Sequence, residues 1–181
     1  MYHQLYIKIC DDICIARRYT VLIKMTKETR VILDNIRSSH NVGSIFRTAD
    51  GAGVSKVYLL GYTPAPVDRF GRTVAEIKKT SLGASDMVAW EHLDNNQIGK
   101  LIKDLKTEGF EIVAIEQTSK SVALNDFKAK EKTCYIMGNE VDGVRQELLD
   151  LSDAIVEIPM KGSKESLNVS VATGIVLFKS R

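Results

Sequence analysis

Residues 31–49 read VILDNIRSSHNVGSIFRTA, and this stretch decides the fold. It opens with three consecutive aliphatic residues, as a buried strand does. It ends in an apolar stripe of helical spacing, made of Val42, Ile45, Phe46 and Ala49. The polar residues between the two halves form a strand-to-helix junction, where free backbone N–H groups suit an anionic or polar ligand. The stretch therefore predicts an α/β unit whose junction is suited to a polar or anionic ligand.

The same alternation of strand-like runs and helical patterns continues along the chain. The β-rich apolar runs are residues 31–33, 56–60, 87–90, 110–115, 133–137 and 154–158. The clearest helix covers residues 95–108, with Asp94 as its N-cap and Gly109 as its end. Shorter helices are predicted after Asn41 and over residues 144–151. The alternation predicts a largely parallel sheet covered by helices.

The C-terminal segment gives a less consistent pattern. Leu167, Val169, Val171 and Thr173 alternate along the chain as in a strand, whereas residues 175–178 are simply apolar. Periodicity alone therefore favours a strand there. No repeat, linker or low-complexity tract separates this segment from the rest, so residues 25–181 are predicted to form a single domain.

Residues 1–24 mix aromatic, aliphatic, cysteine and arginine residues without a cleavage site or a continuous apolar run. They fit neither a signal peptide nor a membrane span. Two interpretations stay open. One is an upstream extension of a core that begins near Met25, and the other is an N-terminal helix or strand packed on that core.

Bulk composition narrows the class of protein without indicating a ligand. The 181 residues are 44% hydrophobic and 27% charged, which is typical of a soluble globular domain. A net charge of +2 is too small to indicate a nucleic-acid binder, so any RNA contact must come from local patches. The cysteines form no CxxC pair and the histidines are scattered. We therefore expect no metal, no disulfide framework and a reducing, cytoplasmic location.

Arg47 is the chemically informative residue of the first stretch. It lies off the apolar stripe, with Gly43 and Gly51 one turn away on either side, which leaves its guanidinium room to reach a phosphate. The alternative is a surface ion pair with Asp50 at i+3, with Asn41 as a plain N-cap. Helix statistics alone favour this simpler interpretation.

Two further polar segments carry possible chemistry. The sequence GNEVDGVR at residues 138–145 follows an apolar strand, where open α/β sheets bind ligands, although a tight turn would have the same composition. Residues 158–170 set Ser166 and Asn168 into an apolar run. These two side chains either bind a ligand or brace the backbone.

Together the three segments resemble the three motifs of the SpoU (TrmH-like) family of SPOUT RNA 2′-O-ribose methyltransferases. Asn41, Gly43 and Arg47 are similar to the first motif, and the glycine-x-glutamate turn at residues 138–140 is similar to the second. Residues 158–160 and 166–172 match the third motif nearly residue for residue. The resemblance extends over residues 31–178 and leaves out the residues before Met25.

The resemblance implies a fold, a cofactor and roles for individual residues. The fold is an α/β domain with a trefoil knot, in which residues 167–178 form a helix and thread a loop, an exception to the rule against threaded chains. The cofactor is S-adenosylmethionine, bound by Gly138, Asn139, Ile158, Met160 and Leu167. The implied catalytic residues are Arg47, Asn41, Glu140, Ser166 and Asn168.

The resemblance also implies a substrate and partners. The substrate is structured RNA, either tRNA or rRNA, with Arg47 near its phosphate and the reacting hydroxyl, and the protein is a homodimer. Four basic residues are candidate RNA contacts or ordinary solvated side chains: Arg69, Arg72, Lys78 and Lys79. Two other classes stay open. They are a non-catalytic knotted RNA-binding or ribosome-assembly protein, and an S-adenosylmethionine enzyme that acts on a base or a small molecule.

Overall fold

The computed structural model describes residues 27–180, in which strands and helices alternate. The strands are β1 (Glu28–Asp34), β2 (Lys56–Leu60), β3 (Ala89–Leu93), β4 (Glu111–Ile115), β5 (Val122–Ala123), β6 (Lys132–Met137) and β7 (Ala154–Glu157). The helices are α1 (Ser39–Ala52), α2 (Ala75–Ser81), α3 (Ala84–Met87), α4 (Ile98–Thr107), α5 (Gln146–Leu151) and α6 (Val169–Lys179). A single 3₁₀ turn, Asn95–Gln97, leads into α4.

The strands form one sheet in the order β3-β2-β1-β6-β4-β7-β5. Every neighbouring pair runs parallel, which confirms the predicted sheet. Because the strands are parallel, their C-terminal ends all lie at one edge, which we call the carboxyl edge. In open α/β sheets, ligands bind at that edge.

Three strands differ clearly from the sequence prediction. The strand predicted at residues 31–33 is longer, since β1 covers Glu28–Asp34. The strand expected at residues 87–90 begins at Ala89 instead, because Met87 closes the short helix α3. The strand β5 was not predicted, since two residues are too few to show a period.

Helices cover both faces of the sheet, so its central strands are buried on two sides, whereas the edge strands β3 and β5 are largely exposed. Val31 and Leu33 pack in one core with Phe46 of α1. The intervening Ile32 faces the other core with Ile102 of α4. This explains why the central strands read as continuous apolar runs and not as alternating ones.

The ends of the helices α1 and α4 test two predictions about helix boundaries, of which the first is corrected and the second is confirmed. Ser38, not Asn41, caps α1, and its hydroxyl accepts a hydrogen bond from the backbone N–H of Asn41 at 3.3 Å. Asn41 therefore lies within the first turn, and its side chain is available for other contacts. The helix predicted at residues 95–108 is confirmed, with Asp94 before it and Gly109, at φ +88°, after it.

Residues 169–179 form the helix α6, so the strand favoured by periodicity is wrong and the helix implied by the family resemblance is confirmed. Val169, Thr173, Val176 and Leu177 are buried at helical spacing. Apolar residues also occupy the outer face, so the helix carries no polar stripe to reveal its 3.6-residue period. Helix α6 packs beside α1, where a Cβ on Gly174 would lie 3.7 Å from the Thr48 methyl.

The two interpretations of residues 1–24 concern a part of the chain outside the described residues. Within residues 27–180, no helix is long and apolar enough to cross a membrane.

Candidate functional site

A cavity of about 480 Å³ opens at the carboxyl edge of the sheet, next to β4, β6 and β7. Its volume lies within the range of ordinary small-molecule sites. All five residues predicted to bind a cofactor line it, together with Glu140 and Ser166 of the predicted catalytic set. The remaining lining includes three further carboxylates, from Glu116, Asp142 and Glu157.

The loop at residues 138–143 forms one wall of the cavity by folding back on itself. The backbone of Asn139 exchanges two hydrogen bonds with Gly143, at 2.9 and 3.0 Å. A Cβ on Gly138 would lie 2.3 Å from the backbone of Gly143 and Val144. Only glycine at residue 138 allows this close return of the chain, which holds the backbone against the cavity.

The side chain of Asn139 holds this loop in place through four hydrogen bonds. Its Nδ2 donates to the Asn35 carbonyl at 2.7 Å and to the Tyr62 hydroxyl at 2.8 Å. Its Oδ1 accepts from the N–H groups of Val141 and Asp142. The amide has therefore used its two donor hydrogens and both acceptor positions within the protein. This arrangement assigns Asn139 to holding the loop, not to a side-chain contact with a cofactor.

Glu116 is a site residue that the sequence analysis missed. Its Oε2 accepts a hydrogen bond from Val144 N at 2.8 Å, and a Cβ on Gly143 would lie 2.1 Å from the same oxygen. Gly143 adopts φ +70°, so glycine suits the conformation there, and a larger residue would also displace the Glu116 carboxylate. A carboxylate directly after a buried strand at the carboxyl edge was the signal available in the sequence.

An ion pair fixes the other end of the loop to β1. The guanidinium of Arg145 makes two parallel contacts to the fully buried Asp34, Nη2 to Oδ1 at 2.7 Å and Nε to Oδ2 at 3.0 Å. The hydrogen bonds to Asp34 raise the pKa of Arg145 further above its ordinary value. The pair ties the start of α5 to the end of β1, and no local sequence pattern indicates it.

A hydrogen-bonded network joins the three sequence segments beside the cavity. Asn41 Nδ2 donates to Glu140 Oε1 at 2.9 Å, and Asn168 Nδ2 donates to Asn41 Oδ1 at 3.1 Å. Asn168 Oδ1 in turn accepts from the backbone and hydroxyl of Ser170, at 2.9 and 2.6 Å. Residues that are 99 and 127 positions apart in the sequence therefore form one polar cluster.

Glu140 is the anionic centre of this network. Burial alone would raise the pKa of its carboxyl group. Hydrogen bonds from Arg37 N at 3.0 Å, from the Asn41 side chain at 2.9 Å and from Ser38 N at 3.3 Å outweigh that effect and hold the pKa below its ordinary value. Glu140 is thus ionised at neutral pH, and both of its oxygens are occupied by donors that belong to the start of α1.

Arg47 lies further along α1 and is exposed. Among residues 27–180, its guanidinium forms no hydrogen bond or ion pair, so the predicted surface pair with Asp50 is not present. Gly43 does not make the room for Arg47. A Cβ there would lie 1.9 Å from Thr80 Oγ1 and 2.8 Å from the Ile77 carbonyl, so this glycine serves the packing of α2 on α1.

The four candidate RNA-contacting residues differ in whether they form ion pairs within the protein. Arg72 forms an ion pair with Asp68, and Lys78 forms one with Asp86. Arg69 and Lys79 are exposed, and neither belongs to an ion pair within the described part of the chain. Arg69 and Arg72 lie on the loop after β2, and the two lysines lie on α2, so all four follow the carboxyl end of β2.

The described residues contain no group of three or more histidine, cysteine, aspartate or glutamate side chains arranged to hold a metal. Hydrogen bonds and glycine-dependent backbone turns organise the site beside a carboxylate-rich cavity.

These features define an α/β protein with a small-molecule cavity and an adjoining polar network at the carboxyl edge of a parallel sheet. The sequence profile of the SpoU rRNA Methylase family matches residues 28–178. The chain belongs to this family.

Individual relatives agree with this assignment. The tRNA (guanosine(18)-2′-O)-methyltransferase of Aquifex aeolicus is 35% identical over 167 residues, which are 92% of this chain and 75% of that protein. The 23S rRNA (guanosine-2′-O-)-methyltransferase of Xanthomonas axonopodis is 33% identical over 150 residues, which are 83% of this chain and 57% of that protein. The chain thus spans only part of either relative.

The fold also matches solved structures. The AdoMet-bound rRNA methyltransferase from Sinorhizobium meliloti superimposes with a TM-score of 0.76 and 31% identity, over 87% of this chain and 57% of that one.

Proposed function

We propose that this protein transfers a methyl group from S-adenosylmethionine to a ribose 2′-hydroxyl of structured RNA. The observation that carries the proposal is the network of Glu140, Asn41 and Asn168, which assembles the three motif segments at the rim of the cavity. The relatives named as tRNA and rRNA 2′-O-methyltransferases support the same reaction.

The cavity suits S-adenosylmethionine on chemical grounds. The cofactor carries a sulfonium and an ammonium group, and the carboxylates of Glu116, Asp142 and Glu157 would favour both positive charges. Gly138 lets the backbone approach the adenosine, and Ile158 and Leu167 provide apolar surface. The bound sulfonium supplies an electrophilic methyl group, so the protein has only to align the two substrates and assist the nucleophile.

Different residues of this chain would orient the site and contact the RNA. Glu140 is ionised, and both of its oxygens accept hydrogen bonds, so it orients Asn41 and the start of α1 and does not take up a proton. Arg47 is exposed and unpaired within the described residues, which leaves its planar guanidinium available for an RNA phosphate. A guanidinium stays protonated at neutral pH, so we assign Arg47 a positioning and electrostatic role.

Methyl incorporation tests the reaction. Purified protein is incubated with S-adenosylmethionine labelled in its methyl group and with unmodified transfer and ribosomal RNA, and the digested nucleosides are then identified. Label in 2′-O-methylnucleosides supports the proposal. Label only in a methylated base would assign the protein to base methylation, and RNA binding without label would favour the non-catalytic alternative.

We further propose that the chain is knotted and dimeric and that it works in the cytoplasm. Support for the knot is that Gln117 Nε2, after β4, donates to the Glu165 carbonyl at 2.6 Å, which brings the segment before α6 against the loop it would thread. Support for the dimer is an apolar outer face on α6, where Val171 is 50% and Ile175 is 40% exposed. RNA modification is the basis for the cytoplasmic location.

A further inference from the structure

A short hairpin, residues 66–74, connects β2 to α2 at the carboxyl edge. Val67 and Thr73 form an antiparallel bridge, and Val74 N donates to the Pro66 carbonyl at 3.0 Å. At the tip, Asp68 Oδ1 accepts from the N–H groups of Phe70 and Arg72, at 2.8 and 2.9 Å. The side chain of one aspartate therefore fixes the shape of the hairpin tip.

Phe70 occupies this tip and is 66% exposed. The guanidinium groups of Arg69 and Arg72 lie 4.8 and 5.0 Å from the centre of its ring. The two arginines differ, because Arg72 is held by Asp68 through Nε at 2.8 Å and Nη2 at 2.7 Å. Arg69 forms no ion pair with any described residue, so it is able to move away from the ring.

A large aromatic side chain on a stiff, exposed hairpin contributes little to folding, since most of its apolar surface stays in water. The same arrangement is suited to binding. Unpaired bases of RNA stack on aromatic rings and on guanidinium planes, and nearby cations attract the phosphates that flank the base. Because the hairpin is already ordered, little conformational entropy would be lost on binding.

We propose that Phe70 is a stacking platform for an unpaired base of the RNA substrate, with Arg69 closing over the opposite face of that base. This inference rests on the proposed function and adds to it the recognition of a single-stranded nucleotide. Arg72 is held by Asp68, so its guanidinium stays about 5.0 Å from the centre of the Phe70 ring and contributes positive charge there.

The location of the hairpin supports this role. Tyr62, at the start of the same loop, accepts a hydrogen bond from Asn139 of the cavity wall at 2.8 Å. Helix α2, which follows the hairpin, packs closely on α1, the helix that carries Arg47. The platform therefore lies on a segment joined at both ends to the proposed active site.

The test compares two labelled RNAs by fluorescence anisotropy, a hairpin with an unpaired loop and a fully paired duplex of equal length. Phe70→Leu keeps an apolar side chain and removes the ring. We expect it to weaken binding of the looped RNA about fivefold or more, within the range measured for one stacked base, and to leave the duplex unaffected. Phe70→Trp should keep the affinity, and its added fluorescence, relative to wild type, should be quenched by the looped RNA.

Three results would overturn the proposal. The first is equal affinity of Phe70→Leu and wild type for the looped RNA. The second is a change in the association state of Phe70→Leu, which would make the ring a protein contact. The third is a wild-type protein that neither binds nor methylates RNA, which would remove the proposed function as well. Thermal unfolding and calorimetric titration with S-adenosylhomocysteine confirm that each variant is folded and retains its cavity.

Discussion

Arg47 differs from Glu140, Asn41 and Asn168 because no hydrogen bond or ion pair within residues 27–180 holds its side chain in place. Glu140, Asn41 and Asn168 are all hydrogen-bonded to one another or to the backbone. An exposed arginine without a partner contributes little to folding. Arg47 lies on the same helix as Asn41, and its proposed role is to contact an RNA phosphate that arrives from outside.

Arg47→Ala should leave the free energy of unfolding within about 0.5 kcal/mol of wild type, because no ion pair is lost. Turnover should fall on the order of a hundredfold, while cofactor affinity stays near normal. Arg47→Lys should be nearly as impaired, since lysine keeps the charge but lacks the planar fork. Single-turnover methylation and calorimetry measure these quantities.

Lys103→Ala is the matched control, because Lys103 is an exposed cation on α4, on the opposite face of the sheet from α1. It should behave as wild type. A fully active Arg47→Ala variant would rule out the proposed role, and a fully active Arg47→Lys variant would reduce that role to simple charge.

Gly138→Ala should abolish cofactor binding, because the added Cβ would lie 2.3 Å from the backbone of Gly143 and Val144 and would force the loop open. Calorimetric titration with S-adenosylhomocysteine measures the loss. Gly99→Ala is the control, since nothing lies within 4 Å of the added methyl in α4. It should leave binding intact and stabilise the helix by about 0.5–1 kcal/mol. Normal affinity in Gly138→Ala would show that the loop is not part of the cofactor site.

Between elements, the Asp34–Arg145 pair joins β1 to the start of α5 through a bidentate contact to a fully buried carboxylate. Arg145→Leu would leave the carboxylate of Asp34 buried without its partner. We expect a loss of about 3 kcal/mol in the free energy of unfolding, at the low end for a broken buried pair because the Arg145 side chain is 31% exposed. Urea denaturation measures the change.

The double variant Asp34→Asn with Arg145→Leu provides the comparison for that experiment. It removes the unpaired charge, so it should recover part of the stability that Arg145→Leu loses. If the single and double variants are equally unstable, then packing and not the charge pair accounts for the loss.

For the whole molecule, the outer face of α6 leads to a prediction about assembly. Ile175→Glu places a charge on this apolar face, at a residue that is 40% exposed, so the monomer should still fold. Light scattering should report a dimer for wild type and a monomer for the variant. Val122→Glu, at the exposed edge strand β5, should remain dimeric. A monomeric wild-type protein would contradict the proposed dimer.

The sequence predicted the parallel sheet, the long helix α4 and the three polar segments, because these depend on patterns within a few consecutive residues. Apolar runs mark buried strands, and a capped apolar stripe marks a helix. It failed at α6, where apolar residues on all faces conceal the helical period. There the resemblance to a family, and not periodicity, supplied the helix.

The contacts of the site depended on the folded chain. No local pattern pairs Asn41 with Glu140, Asn168 with Asn41, or Asp34 with Arg145, since each pair is separated by 99 or more residues. No local pattern shows that the side-chain amide of Asn139 has all its hydrogen-bonding positions occupied, or that Glu116 accepts a hydrogen bond from the end of the glycine loop. Parallel strands bring such distant residues to one edge of the sheet, and hydrogen bonds act only over about 3 Å. The chain sequence therefore determined which elements form and which chemical groups they carry, while the packing of the sheet determined which of those groups meet.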